Sequence, residues 1–366
     1  MPVLKNPAVS DMFCLPYAKA RHHFIDLADT ALDNLPGQIL HFTHPESGPM
    51  GEKLTSDWVW LGERKAPSVL VLISATHGVE GAMGSGLQRE ILPELIKLLL
   101  QRGQLAVLLI HALNPWGYAW SRRTDHQNID LNRNFIDFSQ PLPYNHAYSL
   151  IEPDLLAHTT DRDSAIELWK KELGSERFEE ALSSGQYHSS DGLFYGGKKM
   201  AWSHSTLISG LSTLSLTYAK RIIVLDLHSG LGPYGYGEVI SDHPLNSRGD
   251  MLSREWFGHQ VCHPARGNSC SVTKSGLLDY YFHDLIGERG CFLTFEAGSY
   301  GNHAMFNLLC EDQILWNRTD LYANEEQRQQ AMLEHFCPAD THWQNAVYCR
   351  YRQLVNTAVE RLLEKP

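Results

Sequence analysis

Four runs in the chain, SVLVLIS from Ser68, QLAVLLI from Gln104, RIIVLDL from Arg221 and CFLTFEA from Cys291, are apolar at nearly every position and end at small or polar residues. Continuous aliphatic runs of this length predict central strands buried on both faces. Between the first two lies LQREILPELIKLLLQRG, with Leu and Ile at helical spacing up to Gly103, so the pattern reads strand, helix, strand. The earlier segments QILHFTHP and SDWVWLGE are polar at alternate positions and separated by Pro and Gly, which predicts an edge hairpin. The sum is an α/β fold: a mixed, mainly parallel central sheet flanked by helices.

The stretch 136–217 holds helical pieces, one opening on an apparent capping box at Ser164 and Glu167, and is expected to form an excursion over one face of the sheet. The closing segments, EEQRQQAMLEHF and VNTAVERLLEKP, read as helices on the outside. With 366 residues, 43% of them hydrophobic, the chain can bury a large core. We expect a single domain over 1–366, with its core at about 38–310, a helical insertion at 136–217 and C-terminal helices at 311–366.

Charge narrows the choice of partner. The formal net charge is -11, and no basic cluster exceeds the pairs Arg122-Arg123 and Lys198-Lys199, which argues against nucleic acid or an anionic membrane. No segment reaches the roughly 18 apolar residues of a membrane span, and the first residues lack a signal-peptide core, so a cytoplasmic protein is expected. The seven Cys include no CxxC and read as reduced thiols. Cys262, His263 and Cys270 lack a fourth ligand and read as packing residues.

Residues with chemical potential collect where the apolar runs end, the edge at which open α/β sheets bind ligands. His77-Gly-Val-Glu80 places two metal-capable groups three residues apart, with Gly78, Gly81, Gly84 and Gly86 free to let the backbone bend. Alone it is a weak signal, since a solvated loop His gives the same string. The glycines around it lack both GxGxxG order and the Lys-Ser/Thr ending of a phosphate loop. Asp226-Leu-His228 ends another strand and offers a third ligand, completing a His-Glu-His set suited to catalytic zinc; a His satisfied by backbone is the plainer reading. Glu296, bordered by apolar residues, should be desolvated and thus basic enough to take a proton from water, unless it pairs with a buried Arg. The segment Asn114–Phe135 supplies Arg122, Arg123, Asn132 and Arg133, whose guanidinium forks suit a carboxylate or oxyanion. Arg133 has a structural alternative, pairing with Asp130 or Asp137.

These pieces, HxxE after a strand, an Arg-containing DxNRN segment, a strand-end HS and FE on a later strand, occur in the order that resembles the zinc carboxypeptidase superfamily. That superfamily includes carboxypeptidase A and the succinylglutamate desuccinylase and aspartoacylase deacylases. The resemblance covers about Ser68 to Tyr300 and is closest to a bacterial branch described only as a domain of unknown function. It implies a phosphorylase/hydrolase-like fold, one zinc ion on His77, Glu80 and His228, and Glu296 as the base. It also implies Asp130 as the carboxylate orienting the first His, Arg122 or Arg123 on the scissile carbonyl, and Asn132 with Arg133 on a substrate carboxylate. The substrate-capping Tyr of carboxypeptidase A falls near Ser271 and is missing; Tyr280 and Tyr281 lie in another register. The expected activity is hydrolysis of an amide next to a free carboxylate, on a small peptide or an N-acyl amino acid. A zinc-binding protein without turnover is the reading of another class, and the presence of Glu296 argues against it.

Overall fold

The computed structural model describes residues 13–157, 162–214, 216–318 and 325–364. Among these residues eight strands form one sheet: β1 Gly37–Ser47, β2 Lys53–Leu61, β3 Ser68–Ser74, β4 Leu105–His111, β5 Arg221–Ser229, β6 Gly237–Ile240, β7 Val261–Cys262 and β8 Gly290–Ala297. Their spatial order is β1-β2-β4-β3-β5-β8-β6-β7. The four apolar runs become β4, β3, β5 and β8, all parallel and all central. The hairpin of β1 and β2 is antiparallel and adds to β4 at one edge. At the other edge β6 runs antiparallel to β8, so the sheet is mixed and mainly parallel, as the apolar pattern predicts.

Twelve helices accompany it among the described residues: α1 Tyr17–Leu32, α2 Gly81–Leu99, α3 Pro115–Ala119, α4 His146–Leu155, α5 Arg162–Leu173, α6 Ser175–Ser183, α7 Trp202–Thr213, α8 Arg248–Phe257, α9 Leu278–Ile286, α10 Asn302–Asn317, α11 Glu325–Phe336 and α12 Thr341–Leu363. Alternation along the strands divides the core between the two faces of the sheet. Leu70 and Leu72 of β3 pack with α1, α2, α8 and α12, while Val69, Val71 and Ile73 pack with α7 and α9.

Several expectations change. Ser164 lies inside α5, which already begins at Arg162, so it caps nothing. Among the described helices of the excursion, α7 packs on the sheet face; α4, α5 and α6 bury Tyr148, Ile151, Ile166 and Phe178 against Phe306, Met332 and Phe336 of α10 and α11, in an apolar cluster of its own. α12 is no outer decoration, since Trp343, Val347, Tyr351, Leu354 and Leu362 are buried against the sheet. Its 23 residues leave enough apolar positions for a full stripe, which local reading of its polar face conceals.

Candidate metal centre and substrate pocket

Chain order and space part company at β3. From there the chain goes to β4 on one side and returns to β5 on the other, which makes the carboxyl end of this region a topological switch point. Ala75 leaves β3 with φ +58, a left-handed conformation that turns the backbone sharply at the sheet edge. His77 then precedes a single 3-10 turn, Gly78–Glu80, and α2 follows at once. The glycines serve close approach here rather than bending. A Cβ on Gly78 would sit 2.1 Å from the carbonyl carbon of Gly117, and one on Gly84, inside α2, 2.9 Å from Cβ of Ser74. Backbone N–H groups of Gly78 and Val79 donate to the carbonyls of Arg123 and Arg122 at 3.0 and 2.8 Å, fastening the turn to the segment after α3.

His228 arrives from β5, 151 residues away in sequence, and its Nδ1 stands 3.1 Å from His77 Nδ1 and 2.9 Å from Glu80 Oε2. His77 Nδ1 is 2.8 Å from Glu80 Oε1. All three residues are buried, and they are the one group among the described residues whose ligand atoms converge as a metal site requires. The far nitrogens are fixed as well. His228 Nε2 lies 2.6 Å from Asp226 Oδ2, and Thr76 donates its hydroxyl to Asp226 Oδ1 at 2.8 Å. His77 Nε2 lies 3.2 Å from Asp130 Oδ1 and 2.8 Å from an Arg123 nitrogen. One ring nitrogen cannot donate and accept together, so the two contacts belong to opposite tautomers. With Nε2–H given to Asp130 and Asp226, both Nδ1 lone pairs face the Glu80 carboxylate. Three acceptors then meet, and what holds them together is either a further proton on a ring or a divalent cation in its place; nitrogen and carboxylate ligands in this number suit such an ion.

Burial would raise the Glu80 carboxyl, but His77 and His228 outweigh it and hold the group well below the ordinary carboxylate range. For His228 burial opposes the charge, and Asp226 with Glu80 drive the ring well above its usual value. Glu296 goes the other way: burial, then repulsion from Glu80, push it up to about 8. Strand register places it, because His228 pairs with Glu296 across β5 and β8. Its Oε1 accepts from the backbone N–H of Leu231 at 3.1 Å, and it pairs with no Arg among the described residues.

The two adjacent arginines separate completely. Arg123 lines the pocket, donating to Asp130 Oδ2 at 3.0 Å and lying 3.4 Å from Glu80 Oε1. Arg122 does not reach the pocket, a correction to its candidacy: it is buried against Asp312 at 3.1 Å and Gln313 at 2.7 Å, with its guanidinium over the Trp316 ring. The two side chains leave this bend in different directions, and Asp312, Gln313 and Trp316 of α10 take the first. Asn132 and Arg133 line the pocket, the loop beneath them anchored by buried Ile129, Leu131 and Phe135. Neither Asp130 nor Asp137 pairs with Arg133. Its guanidinium donates to the carbonyls of Ser183, at 2.5 and 2.9 Å, and Asn132, at 2.6 Å, which stitches α6 to the site. Asn132 Oδ1 accepts from Leu278 N–H at 2.9 Å, holding the start of α9.

Other lining residues escaped the sequence reading: Phe178, Leu182 and Phe194 from the excursion, Met305 and Phe306 from α10, and Asp242, Lys274 and Asp279. Asp226 had a usable signal, since position i−2 on a strand shares the face of the ligand at i. Ser271 also lines the pocket.

A sequence family described only as a protein of unknown function, DUF2817, matches residues 13–350. The chain belongs to this family. No functionally curated protein matches it in sequence. Among solved structures, thrombin activatable fibrinolysis inhibitor matches at a TM-score of 0.50 and 14% identity, over 91% of this chain and 77% of that one. Bovine thrombin-activatable fibrinolysis inhibitor in complex with tick carboxypeptidase inhibitor matches at 0.47 and 12%, over 94% and 99%. A succinylglutamate desuccinylase from Silicibacter sp. TM1040 matches at 0.39 and 13%, over 77% and 67%. The first figure marks a shared fold, so this chain has a carboxypeptidase-like α/β architecture; at such identity it marks nothing more.

Proposed function

We propose that this DUF2817 protein is a zinc-dependent hydrolase that cleaves an amide bond next to a free carboxylate. One observation carries the reading: the buried ligand atoms of His77, Glu80 and His228 converge one strand away from Glu296, at a pocket that also holds Asn132 and Arg133. Zinc, when bound there, supplies Lewis acidity, polarising a carbonyl and making water a better acid.

The chain's own residues supply the rest. Arg133 and Asn132 hold the substrate carboxylate, Arg133 being a buried cation whose hydrogen bonds, among the described residues, all go to backbone carbonyls. Arg123 turns its guanidinium toward the scissile carbonyl, where charge develops on oxygen. Glu296 takes a proton from the attacking water and passes it to the leaving amine, and its raised proton affinity suits both transfers. Asp226 and Asp130 keep the imidazoles aimed.

A second reading, deacylation of N-acyl amino acids, draws support from the walls: Phe178, Leu182, Phe194 and Phe306 narrow the pocket, which favours small substrates. The test is a panel of dipeptides and N-acyl amino acids offered to zinc-loaded protein and to Glu296→Gln. Hydrolysis by the first and none by the second is expected. No hydrolysis of any member, or equal hydrolysis by both proteins, would overturn the proposal.

A further inference from the structure

Away from the pocket, the segment before α1 meets the junction of α11 and α12. Phe13 is buried in the core, Tyr118 donates its hydroxyl to the Leu15 carbonyl at 2.9 Å, and between these two anchors Cys14 holds φ +55. A left-handed backbone is unfavourable for a residue with a Cβ and persists where its surroundings fix it. Here it accompanies a contact with Cys337, 323 residues away in sequence: the Cys14 S–H donates to the Cys337 carbonyl at 2.7 Å, and the two thiols are themselves in hydrogen-bonding contact. Gln344 of α12 donates its amide to the Cys14 sulfur at 3.9 Å. Cys14 is half-buried, whereas Cys337 is 1% exposed. Cys262 and Cys270 differ, since both of their thiols turn to the Glu238 carboxylate.

The junction backs the metal ligands. Ser229, next to His228, donates its hydroxyl to the Phe336 carbonyl at 2.7 Å, and a Cβ on Gly230 would meet the Phe336 ring at 2.7 Å. Mutual contact is the starting geometry a disulfide needs, because sulfurs on diverging Cβ vectors cannot be bridged without moving the backbone. We infer that Cys14 and Cys337 are a redox-active pair, in which Cys14 is modified by a small disulfide of the glutathione type and Cys337 resolves the adduct to an intramolecular disulfide. The Cys14 thiolate attacks one sulfur of the small disulfide and expels the other as a thiolate. Cys337 then attacks the Cys14 sulfur, the Cys14–Cys337 bond forms and the second small thiolate leaves. Two electrons and the two cysteine protons end on the two small thiols, so the exchange balances. Accessibility sets this order, with Cys14 half-open to a reagent that cannot reach Cys337. Burial and then the hydrogen bond with Cys14 raise the Cys337 thiol well above its ordinary value, which suits a resolving group that reacts only with its neighbour. The bond clasps the first turn of the fold onto the support of the His228 loop, and a loop closed over 323 residues removes much entropy from the unfolded chain.

The test uses the full chain with Cys349→Ser, which removes the exposed thiol. Incubation of the folded protein with oxidised glutathione should consume two thiols, counted after unfolding, and peptide mapping should find residues 14 and 337 joined. The melting temperature should rise by about 5 °C and return on reduction with dithiothreitol. Cys337→Ala should stop at a glutathione adduct on Cys14, and Cys14→Ala should leave Cys337 unmodified, with melting curves confirming that each variant is folded. No loss of thiols from the folded protein, a disulfide mapped to another pair, glutathione on Cys337 in Cys14→Ala, or a 14–337 bond that leaves the melting temperature unchanged would overturn the clasp.

Discussion

Asp226 and His228 lie two residues apart on one face of β5, and the carboxylate of the first meets Nε2 of the second at 2.6 Å. This contact turns Nδ1 toward Glu80 and His77, and Thr76 in turn pins Asp226 from the end of β3. Replacing Asp226 with Asn reverses the hydrogen-bond preference of the ring without changing side-chain size. Zinc affinity, measured by competition with a chelator, should fall about 10- to 100-fold, with the melting curve of the metal-free protein moving far less.

Glu296 sits beside the ligands without joining their cluster, so Glu296→Gln should bind zinc with nearly wild-type affinity. Its kcat/KM should fall by about a factor of 100 or more if it transfers protons as proposed. Loss of zinc together with activity would make Glu296 a ligand and sink its assignment as base.

Arg122 and Arg123 are neighbours in sequence with opposite surroundings, and their variants should part accordingly. Arg122→Met leaves buried Asp312 with Arg328 as its remaining cation and should cost about 3 kcal/mol of stability in denaturant unfolding, with kcat little changed in the folded fraction. Arg123→Met should instead lower kcat by about tenfold or more and leave the unfolding midpoint close to wild type.

Arg133 joins two tasks, substrate grip and attachment of α6 through the Ser183 carbonyl. Arg133→Ala should raise KM steeply for substrates with a free carboxylate and much less for their amides. Arg133→Lys, which keeps the charge and loses the fork, should recover only part of the affinity. Equal KM increases for acids and amides would show that attachment of α6 is the whole effect.

Far from the pocket, Asp57 is buried on β2 and accepts from Arg21 of α1 at 2.7 Å, from Thr55 at 3.0 Å and faces His41 Nδ1 at 2.6 Å. Burial raises this carboxyl, but the bonds to Arg21 and His41 outweigh it, so its folded-state value lies below the ordinary one. A depressed carboxyl gives stability that is fully present above its unfolded value, about 3.9, and is lost as pH falls through the folded value. The difference in unfolding free energy between wild type and Asp57→Asn should therefore be largest near neutral pH and shrink as pH falls from about 5 to below 3. A difference that stays constant over this window would show that Asp57 acts through packing alone.

Burial on each strand face leaves a local record, and on that basis the sequence alone determined the parallel centre of the sheet, the edge hairpin and the pairing of His77 with Glu80. These follow from the periodicity of β3, β4, β5 and β8 and from a three-residue spacing confined to one turn. Which strands become neighbours is another matter, because pairing is decided by contacts between distant segments that no local period encodes. Only the tertiary structure sets β5 between β3 and β8, brings His228 across 151 residues to His77 and lays Glu296 opposite it. It alone chooses Arg123 over Arg122 for the pocket, since the choice depends on the Asp312, Gln313 and Trp316 surroundings offered by α10. It alone brings Asp242 and Asp279 from separate elements into the lining of one pocket, where neighbours far apart in the chain settle what each carboxyl meets.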